Sequence, residues 1–351
     1  MMEGQLMDRR MEAAATEHGL NLLVVIVCYR VVDLTIDCLQ SLVPQIQDVP
    51  NARVAICENG TGPEAVEQLR SAIVANEWQP WVTLQAIQPN VGFTGGNNAV
   101  LREAMRAQAW PKYFLLLNAD TVLQPGALKS LYEAAEHSPD VGIMGALMTG
   151  RDGQQQCSCF RDHSPVSEFL RGAGSAKINR LFLRGPFQLA PPTGATHFDW
   201  VRFACAMIRA DVVRDVGILD EGFFLYYDDA DYCRSARKAG WKIGRCETAR
   251  VVHLEGQSNE LPEKARRRER KPTYYYVSRS RYFAKHIGTA GLWLANIAWT
   301  AGSAIAAAHR PFSSGGAQAC VGEWKDIWTN ARAPVRNSDA SLAPKESRVV
   351  E

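Results

Sequence analysis

The stretch Tyr113-Phe-Leu-Leu-Leu-Asn-Ala-Asp-Thr121 constrains the fold more than any other. An apolar run ends abruptly in Asn118-Ala-Asp120. The run has the length and bulk of a strand buried on both faces, as in a parallel sheet. Ligands of open α/β sheets bind beyond the carboxyl ends of the strands, so Asn118 and Asp120 stand where a ligand would sit. Side chains two apart in an extended segment point the same way, and two oxygen donors on one side suit a hard divalent cation. Pro125 then opens a helix with Leu128, Leu131, Tyr132 and Ala135 on one stripe. On the plain alternative, Asp120 or Thr121 only caps that helix.

Upstream, three more strands are expected at Leu22–Cys28, Arg53–Cys57 and Trp81–Ile87. Helices alternate with them, one carrying Leu34, Cys38, Leu39 and Leu42 on a face, another over Glu64–Ala75. This alternation predicts an α/β fold with a mostly parallel sheet and right-handed crossovers. Asn90-Val-Gly-Phe-Thr-Gly-Gly-Asn-Asn98 reads as a glycine-rich loop whose amides can approach a phosphate. Gly92, Gly95 and Gly96 lack the dinucleotide-fingerprint spacing, and no Walker-type G-K-[ST] is present. The loop therefore suggests a nucleotide outside the two commonest nucleotide folds, or else a tight strand-to-helix turn. Val141–Pro192 reads as an irregular loop over the site, with a turn at Arg151-Asp-Gly-Gln154 and a Pro/Gly-rich patch at Gly185–Gly194. Phe198–Arg209 is expected as strand and Asp211–Val216 as a short helix.

A second dense cluster runs from Leu219 to Cys233, where four aromatic residues lead into Asp228, Asp229 and Asp231. A helix is expected over Ala230–Ala239 with Gly240 as its stop. Acids in a first helical turn are favoured by the helix dipole. Beside an aromatic wall that suits a sugar or a base, a carboxylate can also act as a general base. Trp241–Cys246 and Ala249–Val252 read as strands, the second ending at His253, a candidate third metal ligand.

The net charge of +2 over 351 residues calls for no nucleic acid. The nine cysteines are scattered and read as reduced thiols of a cytosolic protein. Residues 1–20 read as a polar arm without the apolar core of a signal peptide. Segment 261–336 holds a basic and aromatic run, Lys264–Lys285, with Glu269 its only acid, read as a solvated face. Ile287–Ala308 follows without a charged side chain. It is expected to lie on the inner membrane face, with Trp293 and Trp299 at the interface and the basic run on anionic lipid. The alternative is a helix packed on the catalytic domain. Residues 337–351 have the composition of a disordered tail.

Taken in order, these motifs resemble the inverting glycosyltransferases of family 2, and most closely bacterial rhamnosyltransferase-like members. The resemblance covers Leu22–Lys285. Glu58-Asn-Gly-Thr61 is similar to the family's Asp-Asn-Gly-Ser, whose acid contacts the nucleotide base. Asn90–Asn98 matches the Asn-x-Gly-Phe-x-Gly-Gly-Asn-Asn segment. Asn118-Ala-Asp120 matches the Asn-x-Asp form of the metal motif. Tyr226–Cys233 corresponds to Phe-Tyr-Glu-Asp-x-Asp-Leu-Cys, and His253-x-x-Gly256-x-Ser258 to the C-terminal metal-binding histidine motif. Two places depart. Cys28-Tyr29-Arg30 replaces a Thr-Tyr-Asn-like turn, and Arg202-Phe203-Ala204 replaces Ser-Gly-Ala, where Phe203 is expected to alter acceptor choice or blunt activity.

The resemblance implies the GT-A fold, with a Rossmann-like central sheet flanked by helices and a C-terminal helical extension. The catalytic domain would be 21–260, with a nucleotide-binding half at 21–140 and an acceptor half at 141–260. It assigns Tyr29, Glu58, Asn90, Gly92, Phe93, Gly96, Asn97, Asn118 and Asp120 to the nucleotide sugar. Asp120, His253 and Asn118 would hold Mg²⁺ or Mn²⁺. Asp229 would be the catalytic base, with Asp199, Trp200, Tyr227 and Asp228 toward the acceptor. The donor would be a dTDP-, UDP- or GDP-linked sugar, with rhamnose a candidate. The acceptor would be a glycan or lipid-linked glycan for cell-surface polysaccharide, on the cytoplasmic face of the inner membrane. Two other readings stand beside it: a sugar-phosphate nucleotidyltransferase, and a catalytically silent sugar-nucleotide-binding protein.

Overall fold

A computed structural model describes residues 19–174, 198–254, 261–309 and 319–335. The expected N-terminal arm up to His18, the Gly185–Gly194 patch, Gly256, Ser258 and the tail from 337 lie outside the described residues. In chain order the first elements are β1 (Leu22–Cys28), α1 (Val32–Leu42), β2 (Ala52–Asn59), α2 (Pro63–Ala75), β3 (Val82–Ile87) and α3 (Gly92–Arg106). Next come β4 (Tyr113–Asn118), β5 (Thr121–Leu123), α4 (Ala127–Glu136), β6 (Val141–Thr149), β7 (Gln155–Gln156), β8 (Cys159–Phe160) and α5 (Pro165–Ala173). The chain continues through β9 (Trp200–Val201), β10 (Cys205–Arg209), α6 (Ala210–Val216), α7 (Asp228–Lys238) and β11 (Lys242–His253). It ends in α8 (Leu261–Arg267), α9 (Thr273–His309) and the short α10 (Glu323–Asp326). The chain divides into two compact units.

The first unit comprises Met1–Ser158, Val201–Leu219 and Ser235–Leu254. Its sheet has the order β3-β2-β1-β4-β10-β6-β11-β5, with β7 on β6. The expected parallel order holds over β3-β2-β1-β4. β10 then enters antiparallel between β4 and β6, with Cys205 opposite Leu117. Branched and bulky residues fill these strands because both faces are covered: Leu22, Val24, Val25 and Ile26 are fully buried in β1, and Phe114, Leu115 and Leu116 in β4.

Four expectations are corrected here. Val141–Thr149 is a buried central strand, not the start of a loop. Its two glycines, Gly142 and Gly145, gave it a loop-like composition, yet both are places of close packing. A Cβ on Gly142 would lie 2.5 Å from Val212 Cγ2, and one on Gly145 2.9 Å from Val201 Cβ. Second, Asn90–Asn98 is not a loop beyond its first two residues, because α3 begins at Gly92. Third, Phe198–Arg209 is two short strands separated by Arg202–Ala204. Fourth, β11 is a single strand with a register shift between Cys246 and Arg250, where two strands were expected.

The second unit comprises Cys159–Trp200, Asp220–Arg234 and Glu255–Glu351. Helices α5 and α9 cross closely because glycines occupy the crossing. A Cβ on Gly172 would sit 2.3 Å from the Trp299 carbonyl oxygen, and one on Gly302 2.2 Å from that of Phe169. α9 is kinked at Gly288, whose φ of 79° lies in the left-handed region. Beside the crossing lies a buried ionic knot. Arg279 donates to Glu168 Oε2 at 2.7 Å and to Asn296 Oδ1 at 2.7 Å. Arg171 pairs with Glu168 and also with Glu323. Burial alone would raise the Glu168 pKa, but Arg171 and Arg279 outweigh it and hold the carboxyl well below its ordinary range. The basic run is therefore not uniformly a solvated face: Arg279 and Arg281 are buried and ion-paired, whereas Arg266–Arg270 are exposed. Trp299, expected at a membrane interface, is 2% exposed and packs inside this unit, because Gly172 lets α5 close over it.

Candidate active site

In the first unit, strand ends bring the predicted nucleotide-side residues into two linked turns. Glu58, at the end of β2, is fully buried. Its Oε1 accepts the Thr61 N–H at 2.6 Å, while its Oε2 has no hydrogen-bond partner among the described residues. Thr61 Oγ1 in turn accepts the Arg30 N–H at 2.8 Å. Arg30 holds a φ of 61°, a conformation costly for a residue with a Cβ, and its guanidinium lies 5.0 Å from the Tyr29 ring centroid. The Tyr29-Arg30 and Glu58–Thr61 turns are thus fastened to each other.

Asn59, overlooked in the sequence, is the hub of the second turn. Its Nδ2 donates to Asn90 Oδ1 at 3.1 Å and to the Gly92 carbonyl at 2.9 Å, and its Oδ1 accepts the Val91 N–H at 3.1 Å. A polar residue ending a buried strand was the available signal. Asn90 Oδ1 also accepts the Gly92 N–H at 2.8 Å. Asn97 donates inward to the Phe93 carbonyl at 2.8 Å, and Gly96 packs against Val27. Asn90 and Phe93 remain half-buried.

Two of the predicted metal residues, Asp120 and His253, meet by a route other than the extended one. β4 ends at Asn118, and Ala119-Asp120 is a turn, so residues 118 and 120 do not share a strand face. The turn leads into β5, which pairs antiparallel with the end of β11 and sets Thr121 opposite His253. The Leu254 N–H donates to the Asp120 carbonyl at 2.9 Å. His253 Nε2 consequently lies 3.5 Å from Asp120 Oδ1, both side chains buried. His253 Nδ1 and Asn118 Oδ1 are buried without a hydrogen-bond partner among the described residues. A carboxylate, an imidazole and an unsatisfied amide oxygen suit a divalent cation. Among the described residues, no group of three or more His, Cys, Asp or Glu is placed to hold a metal. The observed pair is one carboxylate and one imidazole, Asp120 and His253.

The acidic cluster belongs to the second unit. Tyr226 and Tyr227 have φ of 69° and 64°, two consecutive left-handed residues before α7. The helix starts at Asp228, two residues earlier than expected. The three carboxylates then have different surroundings. Asp231 is buried and accepts from Lys285 Nζ and His286 Nε2, each at 2.7 Å. Asp228 is buried too; burial, then the neighbouring Asp229, pushes its pKa well above the usual carboxylate value. Asp229 is half-buried, and its Oδ1 accepts the Ala230 N–H at 2.8 Å. Lys285 and His286 had no sequence signal beyond charge inside an otherwise apolar helical pattern.

The acceptor-side candidates are tied to this unit's own backbone. Asp199 Oδ2 accepts the Asp162 N–H at 2.9 Å, and Trp200 Nε1 donates to the Arg161 carbonyl at 2.8 Å while its ring stacks on Phe160. Tyr227 is buried, with its hydroxyl 3.4 Å from that of Tyr275. His163 lies against Trp200, Tyr227 and Tyr282, and burial pushes its pKa down to about 4. Phe203, in the first unit, is buried, at 2% exposed.

Residues 18–271 match the family described as glycosyltransferase like family 2, and the chain belongs to that family. An N-acetylglucosaminyl-diphospho-decaprenol L-rhamnosyltransferase of Mycobacterium tuberculosis is 26% identical over 205 residues, 55% of this chain and 61% of that protein. A low-salt glycan biosynthesis hexosyltransferase of Haloferax volcanii is 26% identical over 168 residues, 47% of this chain and 49% of the other. The chain thus spans about half to three fifths of the length of these relatives. A mannosyltransferase of Pyrobaculum calidifontis, solved with GDP-Man and Mn²⁺, superposes with a TM-score of 0.53 at 14% identity, over 88% of this chain and 83% of that one. The fold is GT-A: a mixed α/β sheet flanked by helices, with a C-terminal helix.

Proposed function

We propose that the protein moves a sugar, with inversion, from a nucleotide-diphosphate sugar to a lipid-linked glycan used for cell-surface polysaccharide. The observation that carries this reading is the pairing of Asp120 with His253, together with His253 Nδ1 and Asn118 Oδ1, two buried atoms that lack partners among the described residues. Asp120, His253 and Asn118 would hold Mg²⁺ or Mn²⁺. Such an ion, when bound, supplies positive charge against the negative charge of a departing diphosphate. Glu58 offers its unpartnered Oε2 to an N–H of the nucleotide base, and Tyr29, Asn90, Gly92, Phe93, Gly96 and Asn97 shape the pocket for base and ribose.

Asp229 takes the proton of the acceptor hydroxyl as it attacks the anomeric carbon. Help of this kind is worth about 10²–10⁴-fold. Asp229 is matched to this role by the likeness of Tyr226–Cys233 to the family's acidic motif; of its neighbours, Asp231 is paired with Lys285 and His286, and burial raises the pKa of Asp228. Asp199, Trp200, Tyr227 and Asp228 line the acceptor side. Rhamnose from dTDP-rhamnose is the leading donor, on the likeness to the mycobacterial rhamnosyltransferase; UDP- and GDP-sugars are the other arms of the test.

The test is donor hydrolysis and transfer across a panel of nucleotide sugars, with Mg²⁺, with Mn²⁺ and with EDTA, wild type beside Asp229→Asn. Metal-dependent release of one nucleoside diphosphate, lost in the variant, is the expected result. Binding without turnover of any donor would replace this reading with a silent sugar-nucleotide-binding protein.

A further inference from the structure

The second unit carries an apolar surface that the proposed chemistry does not use. On the outer face of α9, Trp293, Leu294 and Ile297 are 46%, 55% and 56% exposed. The opposite face, with Leu292, Ala295 and Trp299, is buried, so the helix is apolar all round and leaves half of that character in solvent. The segment around α10 extends the same surface. Trp328 meets Trp293 edge-to-face at 5.8 Å, and Trp293 Nε1 donates to the Ala331 carbonyl at 3.2 Å. Val321 and Trp324 are 66% and 63% exposed.

Positive charge adjoins this patch. The Val321 N–H donates to the Arg268 carbonyl at 3.0 Å, and Arg270 pairs with Asp326 of α10 at 2.7 Å. Between Glu263 and Lys271 the chain has six cations against Glu263, which pairs with Arg266 and Arg267, and Glu269. Arg266, Arg267, Arg268 and Arg270 are exposed. Lys325 Nζ lies 4.9 Å from the Trp324 ring centroid, an ammonium folded over an indole. Exposed tryptophans favour the boundary between water and acyl chains, and neighbouring arginines favour anionic headgroups. Contiguous apolar patches of this kind on a soluble protein mark an interaction site.

We propose that this surface, formed by α9 after Gly288 and the α10 segment, docks the protein on an anionic lipid bilayer, with Trp324, Val321, Leu294 and Ile297 entering the headgroup boundary. The occupant is a bilayer and not a protein groove because the arginine run and the tryptophans lie in one connected surface. The inference deepens the proposed lipid-linked acceptor by naming where the enzyme meets the membrane that holds it. It depends on that reading only for its purpose, because vesicle binding is measured with neither donor nor acceptor.

The experiment is co-sedimentation of the full chain with vesicles of zwitterionic lipid alone and of zwitterionic lipid mixed with phosphatidylglycerol. Brominated acyl chains in a parallel set report tryptophan quenching. Expected are preferential binding to the anionic vesicles, weakening as salt rises, and quenching of tryptophan emission. The double variant Val321→Ser/Trp324→Ser should weaken binding at least tenfold at unchanged melting temperature. Leu294→Ser/Ile297→Ser is the second variant, on the other element. Absence of vesicle binding, equal binding by both variants, or binding without quenching would overturn the proposal. So would concentration-dependent dimerisation abolished by the same variants, which would assign the surface to a second copy of the chain. Loss of vesicle binding with intact sugar transfer would leave the catalytic reading standing, and the reverse pattern would leave the docking surface standing.

Discussion

His286 Nε2 lies 2.7 Å from Asp231 Oδ1, and Lys285 Nζ lies 2.7 Å from Asp231 Oδ2. Both residues come from α9 and the carboxylate from the first turns of α7, two residues after Asp229. Lys285 also reaches Asp220, on the segment leading into α7, at 2.9 Å. The helix bearing the proposed base is therefore fastened at a buried carboxylate. On the proposed mechanism His286 acts as a positioning residue, holding Asp229 through the backbone of α7. His286→Ala should lower kcat about tenfold while leaving the donor KM within twofold. The lost buried hydrogen bond should reduce stability by about 1–3 kcal/mol. Steady-state kinetics beside a denaturant titration checks both. A purely structural role would lower stability and leave kcat per folded molecule intact.

The Asp120–His253 pair makes a separate prediction. His253→Ala leaves the carboxylate in place but removes the nitrogen donor. The Mn²⁺ concentration for half-maximal activity should rise by about 10–100-fold, the range seen when even a supporting partner of a metal ligand is removed. Calorimetric titration of Mn²⁺ into the protein with a nucleoside diphosphate reads the same loss without turnover. An unchanged Mn²⁺ requirement would remove His253 from the donor set.

Acid should loosen the second unit in two stages. His163 is held down to about 4 by burial, so the unfolded chain binds its proton first as pH falls. Stability is therefore unaffected above about pH 6.5 and declines from there toward pH 4. Glu168 is depressed in the folded state, so its contribution is present above about pH 4.3, the ordinary glutamate value, and is lost below it. Melting temperature should fall between pH 6.5 and 4 and fall further below about pH 4.3. His163→Phe should flatten the first stage. Glu168→Gln should cost about 3–5 kcal/mol at neutral pH, because it leaves Arg279 buried without its counter-charge.

Much of this was legible in the sequence where one residue type had one physical use. The aliphatic runs of β1, β2 and β4 fit only buried strands, and Asn118-Ala-Asp120 could be placed at a strand end before any fold was known. Legibility failed where glycine served packing and was taken for a loop. Gly142 and Gly145 lie within a central strand, and Gly92 opens a helix. It failed again for Arg279 and Trp299, whose burial is fixed by partners distant in the sequence, Glu168 and Gly172. Asp231, Lys285 and His286 illustrate the same limit: each charge is visible alone, but the pairing spans 55 residues.

Gly96 allows that packing argument to be tested at the nucleotide-side turn. A Cβ there would lie 2.7 Å from Val27 Cγ1 and 3.3 Å from Asn59 Nδ2. Gly96→Ala must therefore push α3 away from β1 or displace Val27, and overpacking of this kind costs about 1–3 kcal/mol. Asn59 holds Asn90, Val91 and Gly92, so the disturbance should also reach the proposed nucleotide pocket and weaken nucleoside diphosphate binding. Val27→Ala removes the colliding methyl groups. Thermal melts should accordingly rank Gly96→Ala/Val27→Ala above the sum expected from the two single changes, with nucleotide affinity partly restored. Strict additivity would mean that the close approach of α3 to β1 is not what requires glycine at this position.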